Sequence, residues 1–447
     1  MTNSLAKKYS LGSLFVFALP NIIMMVFLSM YIIVDGTFIS RYVGTTALSA
    51  VTMVYPLICL EMAIGIMIAT GGSAVIAKAM GEGKEDKAKQ YFTMLTCVEV
   101  IFGIFFAVLG NLFMDQIFYF LGVSELQYDL AVTYLRILFL FAPAFFLQTA
   151  FQTFFVTAGK PTLGLIVTVM AGVLNIVLDY IFMVVMKLGV GGAAVATGLG
   201  YLVAAISGLI FFYVNKNGLH FSKFKFEKDI LLKVCGNGSS EMVTNLANAV
   251  TTFLFNYTFM KYFGEDGVAS ISILIYFQYI FTAIYFGYSN GISPIVSFKY
   301  GEKNSKELKR LLKYGVIFII ACSSVSFFVA RLIAGTVFQA FAPITSNVYK
   351  ISMGGFPIYS IGFLLMGISV FASSWFTALS DGRTSAIISF TRTFLLLAIF
   401  ILVLPQILGT TGIWLAVPLA EGCGVVLSIV YLVKKKGKWA NIDEYSN

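Results

Sequence analysis

The sequence predicts an all-α integral membrane protein, with about twelve transmembrane helices in two pseudo-two-fold-related six-helix bundles. Three observations lead there. The 447-residue chain is 59% hydrophobic and only 11% charged, with a mean hydropathy of +0.90, more apolar surface than a soluble fold of this size uses. Apolar runs of about 20 residues, the length that crosses a bilayer core, follow one another along the whole chain. The chain also repeats itself at an offset of 220 residues. Tyr42-Val43-Gly44 returns as Tyr262-Phe263-Gly264, and Gly81-Glu82 returns as Gly301-Glu302. Leu188-Gly189-x-x-Gly192-x-x-x-Ala196-x-x-Leu199 returns as Leu408-Gly409-x-x-Gly412-x-x-x-Ala416-x-x-Leu419. A duplicated membrane chain houses its site between its halves.

The runs lie near 14–34, 47–70, 91–114, 132–155, 162–186, 190–214, 231–260, 268–292, 311–334, 351–376, 386–408 and 412–433. Lipid offers no partner to backbone polar groups, so each run is a helix or a strand of a closed barrel. Barrel strands alternate over about ten residues, and these longer runs do not. The first ends in Asp35 without a small-residue cleavage site and reads as a retained helix rather than a signal peptide. The basic stretch 215–229 separates six runs from six, giving an N-lobe over 1–220 and a C-lobe over 221–447. An even number of spans per half leaves both halves in the same orientation, facing each other across a cleft. The loops at 78–89 and 299–313 mix Lys with Glu or Asp, which is expected of short cytoplasmic helices or of solvated charged loops.

The net charge of +9 invites a nucleic-acid reading, but its distribution points to topology. Lys7-Lys8, the lysines of 78–89, 216–233 and 299–313, and Lys434 to Lys438 all fall on one side. The opposite side holds Arg41, Arg136, Lys187, Lys261, Arg331 and Lys350. The positive-inside rule then places both termini in the cytoplasm of a multi-pass protein of the cell membrane. The five cysteines sit in or beside apolar runs without a CxxC pair, and the lone His220 lies in the central loop. Without a phosphate loop, HExxH, GxSxG or haem motif, the expectation is a non-enzyme with no cofactor and no ATP drive of its own.

Ionisable groups inside a span are costly, so each is a candidate: Asp35, Glu61, Glu99, Asp179, Glu241, Arg392 and Glu421. For Glu61, Glu99, Glu241 and Glu421 structural pairing is the leading reading, with Arg392 as counter-ion of Glu61 and Glu421, or of Glu421 alone. Asp35 and Asp179 differ by context. Asn175 and Asp179 share a helix face, as do Tyr31 and Asp35, and Ala193 and Thr197. Two carboxylates, an amide and a hydroxyl suit a small hard cation, or the two acids could share a proton. Helix-end capping is the competing explanation. Shifted by 220 residues, Asp35, Asn175, Asp179 and Thr197 land on Phe255, Leu395, Ile399 and Val417. A packing requirement should have been duplicated with the scaffold, so a cluster confined to one half looks like a specialised site. In the seventh run Glu241, Asn245, Asn248, Thr252 and Asn256 form one stripe, lining a cleft or bonding helices together. Tyr31, Gln148, Gln152, Asn245, Asn248, Gln278 and Met24 are the candidates for a substrate cleft. Pro20, fifteen residues before Asp35, is the proline tied to motion.

These features together resemble a known family. Val34-Asp35-Gly36-Thr37-Phe38-Ile39 with Val43-Gly44, Gly81-Glu82, Ala158-Gly159-Lys160-Pro161-Thr162, Asn175-x-x-x-Asp179 and Gly192-Ala193-Ala194-x-Ala196-Thr197 are similar to multidrug and toxic compound extrusion (MATE) transporters. The resemblance covers nearly the whole chain. It implies a monomeric antiporter coupled to Na⁺ or H⁺ that exports small amphiphilic, often cationic compounds across the lipid bilayer. It assigns the cation to Asp35, Asn175, Asp179, Thr197 and the Ala193 carbonyl, with the four side chains as ligands if the ion is Na⁺. Other members use a Glu well inside helix 7 and an Asp in helix 10. Here Glu241 comes too early and 351–376 contains no acid, which favours the N-lobe. A flippase for lipid-linked saccharides is the rival expectation, but its basic cleft would rest almost entirely on Arg392. A membrane-embedded enzyme would lack a His, Cys or metal-ligand cluster to work with.

Overall fold

The computed structural model describes residues 4–121 and 125–441, which are helical throughout apart from short connections, with no strand among them. Ten helices are long and apolar enough to cross a membrane. The pair Gln127–Leu140 and Ala142–Thr157, bent by 58°, makes an eleventh span. The 74-residue helix Lys228–Gly301 breaks at Gly264, whose φ of 66° suits glycine, and so supplies two spans. The twelve are α1 (Leu11–Val43), α2 (Thr46–Gly81), α3 (Glu85–Leu112), the bent pair α4, α5 (Pro161–Val185) and α6 (Gly189–Val214). They continue with α7 and α8 on either side of Gly264, α9 (Ser305–Phe341), α10 (Ile361–Ala378), α11 (Gly382–Leu408) and α12 (Thr410–Lys434). The charged loops expected to carry short helices do not form them. α2 runs to Gly81 and α3 begins at Glu85, and α8 and α9 are joined just as tightly, so a three-residue reversal leaves no room for another helix.

Three hydrophobic cores form. Two are centred on the first six spans, one around Phe92, Phe154 and Phe212 that also takes in Val234 of α7, the other around Ala50, Leu135 and Phe139. The third belongs to the last six, around Tyr285, Phe363 and Trp375. It also takes in Leu14, Ala18 and Ile22 of α1. α1 is therefore shared: its first half is buried with the second lobe, while its second half packs with α5 in the first.

The lobes meet backbone to backbone at the Lys-rich end that carries both termini. A Cβ on Gly81 would lie 2.0 Å from the Phe298 carbonyl oxygen, and one on Gly301 would lie 2.2 Å from that of Lys78. These are equivalent contacts across a pseudo-two-fold axis, at the offset of 220. Further in, Met67 and Gly71 of α2 meet Gly238 and Val234 of α7, while Gly287 and Gly291 of α8 meet Ile22 and Ala18 of α1. The α2 and α8 positions keep the offset of 220, but the α7 positions follow those of α1 by 216. α7 thus carries one extra helical turn before the Gly44/Gly264 match. Asn21 Nδ2 closes the same seam by donating to the Gly287 carbonyl at 2.6 Å. A short turn, Ser4–Ala6, straps it: Ser4 Oγ donates to the Gly159 carbonyl of the first lobe, and the buried Lys299 of α8 donates to the Ala6 carbonyl at 2.7 Å.

Candidate cation and substrate site in the first lobe

The second half of α1 and the ends of α5 and α6 remote from the Lys-rich face converge on one polar cluster. Asn175 and Asp179 lie one turn apart on the buried face of α5, at 1% and 0% exposure. Asn175 Nδ2 donates to Thr197 Oγ1 of α6 at 3.3 Å. The Asp35 carboxyl, from α1, faces that of Asp179. Tyr31, one turn before Asp35, stands beside Thr197, and Tyr134 of α4 and Tyr201 of α6 lie within electrostatic range of Asp35. Ala193 is fully buried one turn before Thr197. Both acid-bearing helices change pitch next to the cluster. Wider, π-type turns run over Ile39–Val43 after Asp35 and over Tyr180–Val185 immediately after Asp179. Such turns spare a backbone carbonyl from its usual partner and recur at functional sites.

The donor inventory of the cluster is unbalanced. Asp35 Oδ1, Asn175 Oδ1 and both Asp179 oxygens find no hydrogen-bond partner among the described residues. Buried acceptors of this kind are rare because each forfeits its hydration. Four of them together, on two acids and an amide, form an oxygen set to which a proton or a small hard cation supplies the missing positive charge. Among the described residues no group of three or more His, Cys, Asp or Glu gathers as a softer metal would require.

A small, partly open crevice lies against this cluster, walled by Tyr31, Gln148, Thr168, Asn175, Thr197 and Tyr201, with Phe27 and Leu28 as its apolar side. Tyr31 and Gln148, two of the cleft candidates, both line it. Gln152 stands one layer back, its Nε2 on Thr168 Oγ1 at 3.3 Å. Met24 is buried at 2% exposure outside the wall. Asn245, Asn248 and Gln278 belong to the other lobe. Asn245 bonds the Glu241 carbonyl, Asn248 is exposed, and Gln278 accepts from the Tyr359 hydroxyl. Sequence reasoning missed Phe27, Thr168, Gly172, Gly200 and Tyr201. Their signal was periodic: Thr168, Gly172, Asn175 and Asp179 stand on one α5 face, and Thr197, Gly200 and Tyr201 on one α6 face. Gly172 lets the Phe27 ring come within 2.5 Å of where a Cβ would be.

The offset used to compare the lobes needs correcting helix by helix. Counted from the Ile22–Gly238 end the counterpart of Asp35 is Thr251, and counted back from the Gly44/Gly264 match it is Phe255. Around α5 and α11 the offset is 221. Left-handed Gly159 and Ser380 match there, as does the Gln152–Thr168 bond with Ser373–Ser389. Asn175 and Asp179 then correspond to Leu396 and Phe400, not to the outward Leu395 and Ile399. α6 and α12 keep 220, through Gly189 and Gly409, so Thr197 still corresponds to Val417. None of the counterparts is an acid.

The remaining in-span charges are placed as follows. Arg392 Nη1 donates to Glu421 Oε1 at 2.8 Å, both side chains buried, and Glu241 faces the same guanidinium. Glu61 and Glu99 are buried in the first lobe at 4% and 0% exposure; one oxygen of Glu61 and both of Glu99 lack a partner.

Comparison with known proteins adds family evidence. The family model described as MatE matches twice, over residues 20–181 and 242–403, in register with the two lobes. The chain is 24% identical over 431 residues to the multidrug export protein MepA of Staphylococcus aureus (strain NCTC 8325 / PS 47), covering 94% of this chain and 93% of that protein. MepA of Staphylococcus haemolyticus (strain JCSC1435) is also 24% identical, over 430 residues, with the same coverage. Among solved structures, one described as the outward-facing conformation of a multidrug resistance MATE family transporter of the MOP superfamily superposes with a TM-score of 0.91. It shares 20% identity and covers 99% of both chains.

Proposed function

This chain belongs to the multidrug and toxic compound extrusion (MATE) family of transporters, and we propose that it is an antiporter that exports amphiphilic, often cationic compounds in exchange for Na⁺ or H⁺. The observation that carries the reading is the set of four unpartnered oxygens on Asp35, Asn175 and Asp179, beside a cleft with one aromatic and one polar wall. The Lys-rich end is cytoplasmic by the distribution of basic residues. The glycine seam then seals the cytoplasmic side, and the molecule stands outward-facing. In this state the cation occupies the Asp35–Asp179 cluster from outside. Neutralising the pair changes how α1 packs on α5 and α6, and the drug leaves outward. Because the first half of α1 is built into the second lobe at Ala18, Asn21 and Ile22, a shift at Asp35 is carried to the seam past Pro20. The lobes then rock, the cation leaves to the cytoplasm and a new drug enters.

Energetics permit a single ion. Moving one charge down about 100 mV yields about 2.3 kcal/mol, and a tenfold gradient adds about 1.4. For a neutral compound that sustains an accumulation ratio of several hundredfold, on the order of 10². For a monocation exchanged one for one, the potential cancels and only the gradient remains, roughly tenfold.

The test is efflux of a lipophilic monocation, tetraphenylphosphonium, from cells carrying wild type or Asp35→Asn at matched expression. Active efflux should fall by at least about tenfold. Unchanged efflux would sink the coupling role. Vesicles with Na⁺ and pH gradients imposed separately then identify the ion.

A further inference from the structure

Where α12 ends, the second lobe holds a polar cavity that the transport scheme does not use. Its volume is about 50 Å³, more than the roughly 10–15 Å³ that one water needs. Its polar wall is made by Tyr300 near the end of α8, Asp381 in the reversal between α10 and α11, and Lys435, Lys438 and Trp439 just past α12. Donors outnumber free acceptors there. Asp381, the carboxylate of the wall, is already engaged: Lys435 Nζ donates to its Oδ2 at 2.6 Å and also to Thr384 Oγ1. Lys438 is exposed and forms no ion pair among the described residues. The Trp439 indole is 3% exposed, and its Nε1–H, which can only donate, finds no acceptor among the described residues. Trp375 packs edge-on against it, with ring centres 5.6 Å apart, and its own Nε1–H is unpartnered as well. Buried donors without acceptors are rare, because each forfeits its hydration. From α2, Lys78 sets its Nζ over the Tyr300 ring, 5.0 Å from the centre. Spare N–H groups together with spare positive charge suit an anion, the reverse of the unpartnered oxygens in the first lobe.

Duplication supplies an independent argument. At the offset of 220, Tyr300, Lys438 and Trp439 correspond to Met80, Gly218 and Leu219, and at 221 Trp375 corresponds to Phe154. Leu219 and Phe154 are buried in the first lobe's core at 2% and 0% exposure. Apolar side chains fill the equivalent place, so the scaffold does not require two indole N–H groups and a lysine there. The surroundings indicate what carries the anion. Lys434, Lys435, Lys436 and Lys438 crowd the end of a membrane helix whose exposed side is apolar at Val426, Ile429, Val430 and Val433. A basic pocket at such a helix end suits the headgroup of an anionic lipid, with the acyl chains along the apolar side.

We propose that this cavity binds a phosphate group, carried by an anionic phospholipid of the leaflet at the Lys-rich face. Lys438 Nζ and Trp439 Nε1 donate to the phosphate oxygens, and the Lys435–Asp381 pair holds the wall in place. One lipid binds per molecule, on the second lobe. The site is independent of the antiport reading and of the exported compound. It adjoins the seam between the lobes: Tyr300 precedes Gly301, where a Cβ would lie 2.2 Å from the Lys78 carbonyl oxygen. A bound lipid therefore favours the sealed arrangement of that end.

The experiment titrates purified full-length protein in dodecyl maltoside with phosphatidylglycerol, counting bound lipid by native mass spectrometry and following the melting temperature. Wild type should retain one phosphatidylglycerol and melt higher with it than with phosphatidylcholine, whose choline cancels the charge of its phosphate. Trp439→Phe removes the N–H and keeps a ring. That variant and Lys438→Gln should each weaken binding about tenfold, and the two together should abolish it. Lys436→Gln, outside the cavity wall, should bind as wild type does. Equal effects of the two lipids on wild type overturn the proposal, as does a Lys438→Gln/Trp439→Phe protein with the wild-type affinity. A loss in Lys436→Gln as large as in Lys438→Gln overturns it too, since a diffuse basic surface would then suffice. Inorganic phosphate, offered alone at the same concentration, tests the source: if it raises the melting temperature as much as the lipid does, the lipid carrier is overturned. Should Trp439→Phe not fold, Lys438→Gln against Lys436→Gln decides by the same counts.

Discussion

The same architectural position is a cleft in one lobe and a brace in the other. In the first lobe Ala171 and Tyr201 line open space beside three residues whose carboxyl and amide oxygens lack partners. At the corresponding positions the second lobe has Arg392 and Glu421, which close on each other at 2.8 Å. Glycine close approaches and tight helix reversals survive in both halves, because backbone packing demands them. The polar groups were free to diverge, and one interior now holds acceptors without partners while the other holds a self-neutralised pair. A buried charge is functional or structural according to whether its partner is part of the chain.

The largest expected effect comes from breaking the brace. Arg392→Met leaves Glu421 and Glu241 buried without their counter-charge and should cost about 3–5 kcal/mol in thermal or denaturant unfolding. Arg392→Met/Glu421→Met should regain most of it, since the pair satisfies itself rather than a ligand. Next comes turning the cleft into a brace. Ala171→Arg puts a guanidinium into the crevice wall beside Asn175 and Tyr201, and tetraphenylphosphonium binding, read by calorimetry, should weaken about a hundredfold, about 2.7 kcal/mol.

Smaller effects test where the lobes are still alike. Gly81→Ala and Gly301→Ala each push a methyl into a facing carbonyl, at a cost of about 1–2 kcal/mol apiece to the sealed Lys-rich end. The two should be equal, and both should speed labelling of a cysteine introduced at the seam; clearly unequal effects would break the symmetry argument. The smallest concerns Asp381, whose counterpart in the first lobe is Lys160. Burial alone would raise its pKa, but hydrogen bonds from Lys435 and Thr384 outweigh it and hold the carboxyl below its usual range. The contribution is therefore present above the ordinary aspartate pKa of about 3.9 and is lost as pH falls through the lower folded value. It should stay under about 1 kcal/mol for this part-exposed pair. The melting temperatures of wild type and Asp381→Asn should differ near neutral pH and converge in acid.

Much of the candidate site was legible because helices impose simple spacing. Steps of four put Tyr31 with Asp35 and Asn175 with Asp179, and the positions between them that sequence reasoning passed over, Gly172 and Thr168, obey the same rule. What spacing along one helix cannot carry is which helices touch. That Asp35 faces Asp179, that Asn175 bonds Thr197, and that Arg392 serves Glu421 at bonding distance all depend on packing between segments far apart in the chain.

Local chemistry determined twelve apolar spans, a duplicated scaffold with the basic residues on one face, and a set of polar residues present in one half only, because the bilayer's demands on each helix are met residue by residue. The tertiary structure decided the rest: that α1 is divided between two lobes, that glycines seal one end of the seam, that an extra turn in α7 and a one-residue slip in α11 shift the match between halves, and that one interior stays open while the other closes. Those outcomes depend on how surfaces fit together, and a fit is a property of pairs of helices that no single helix contains.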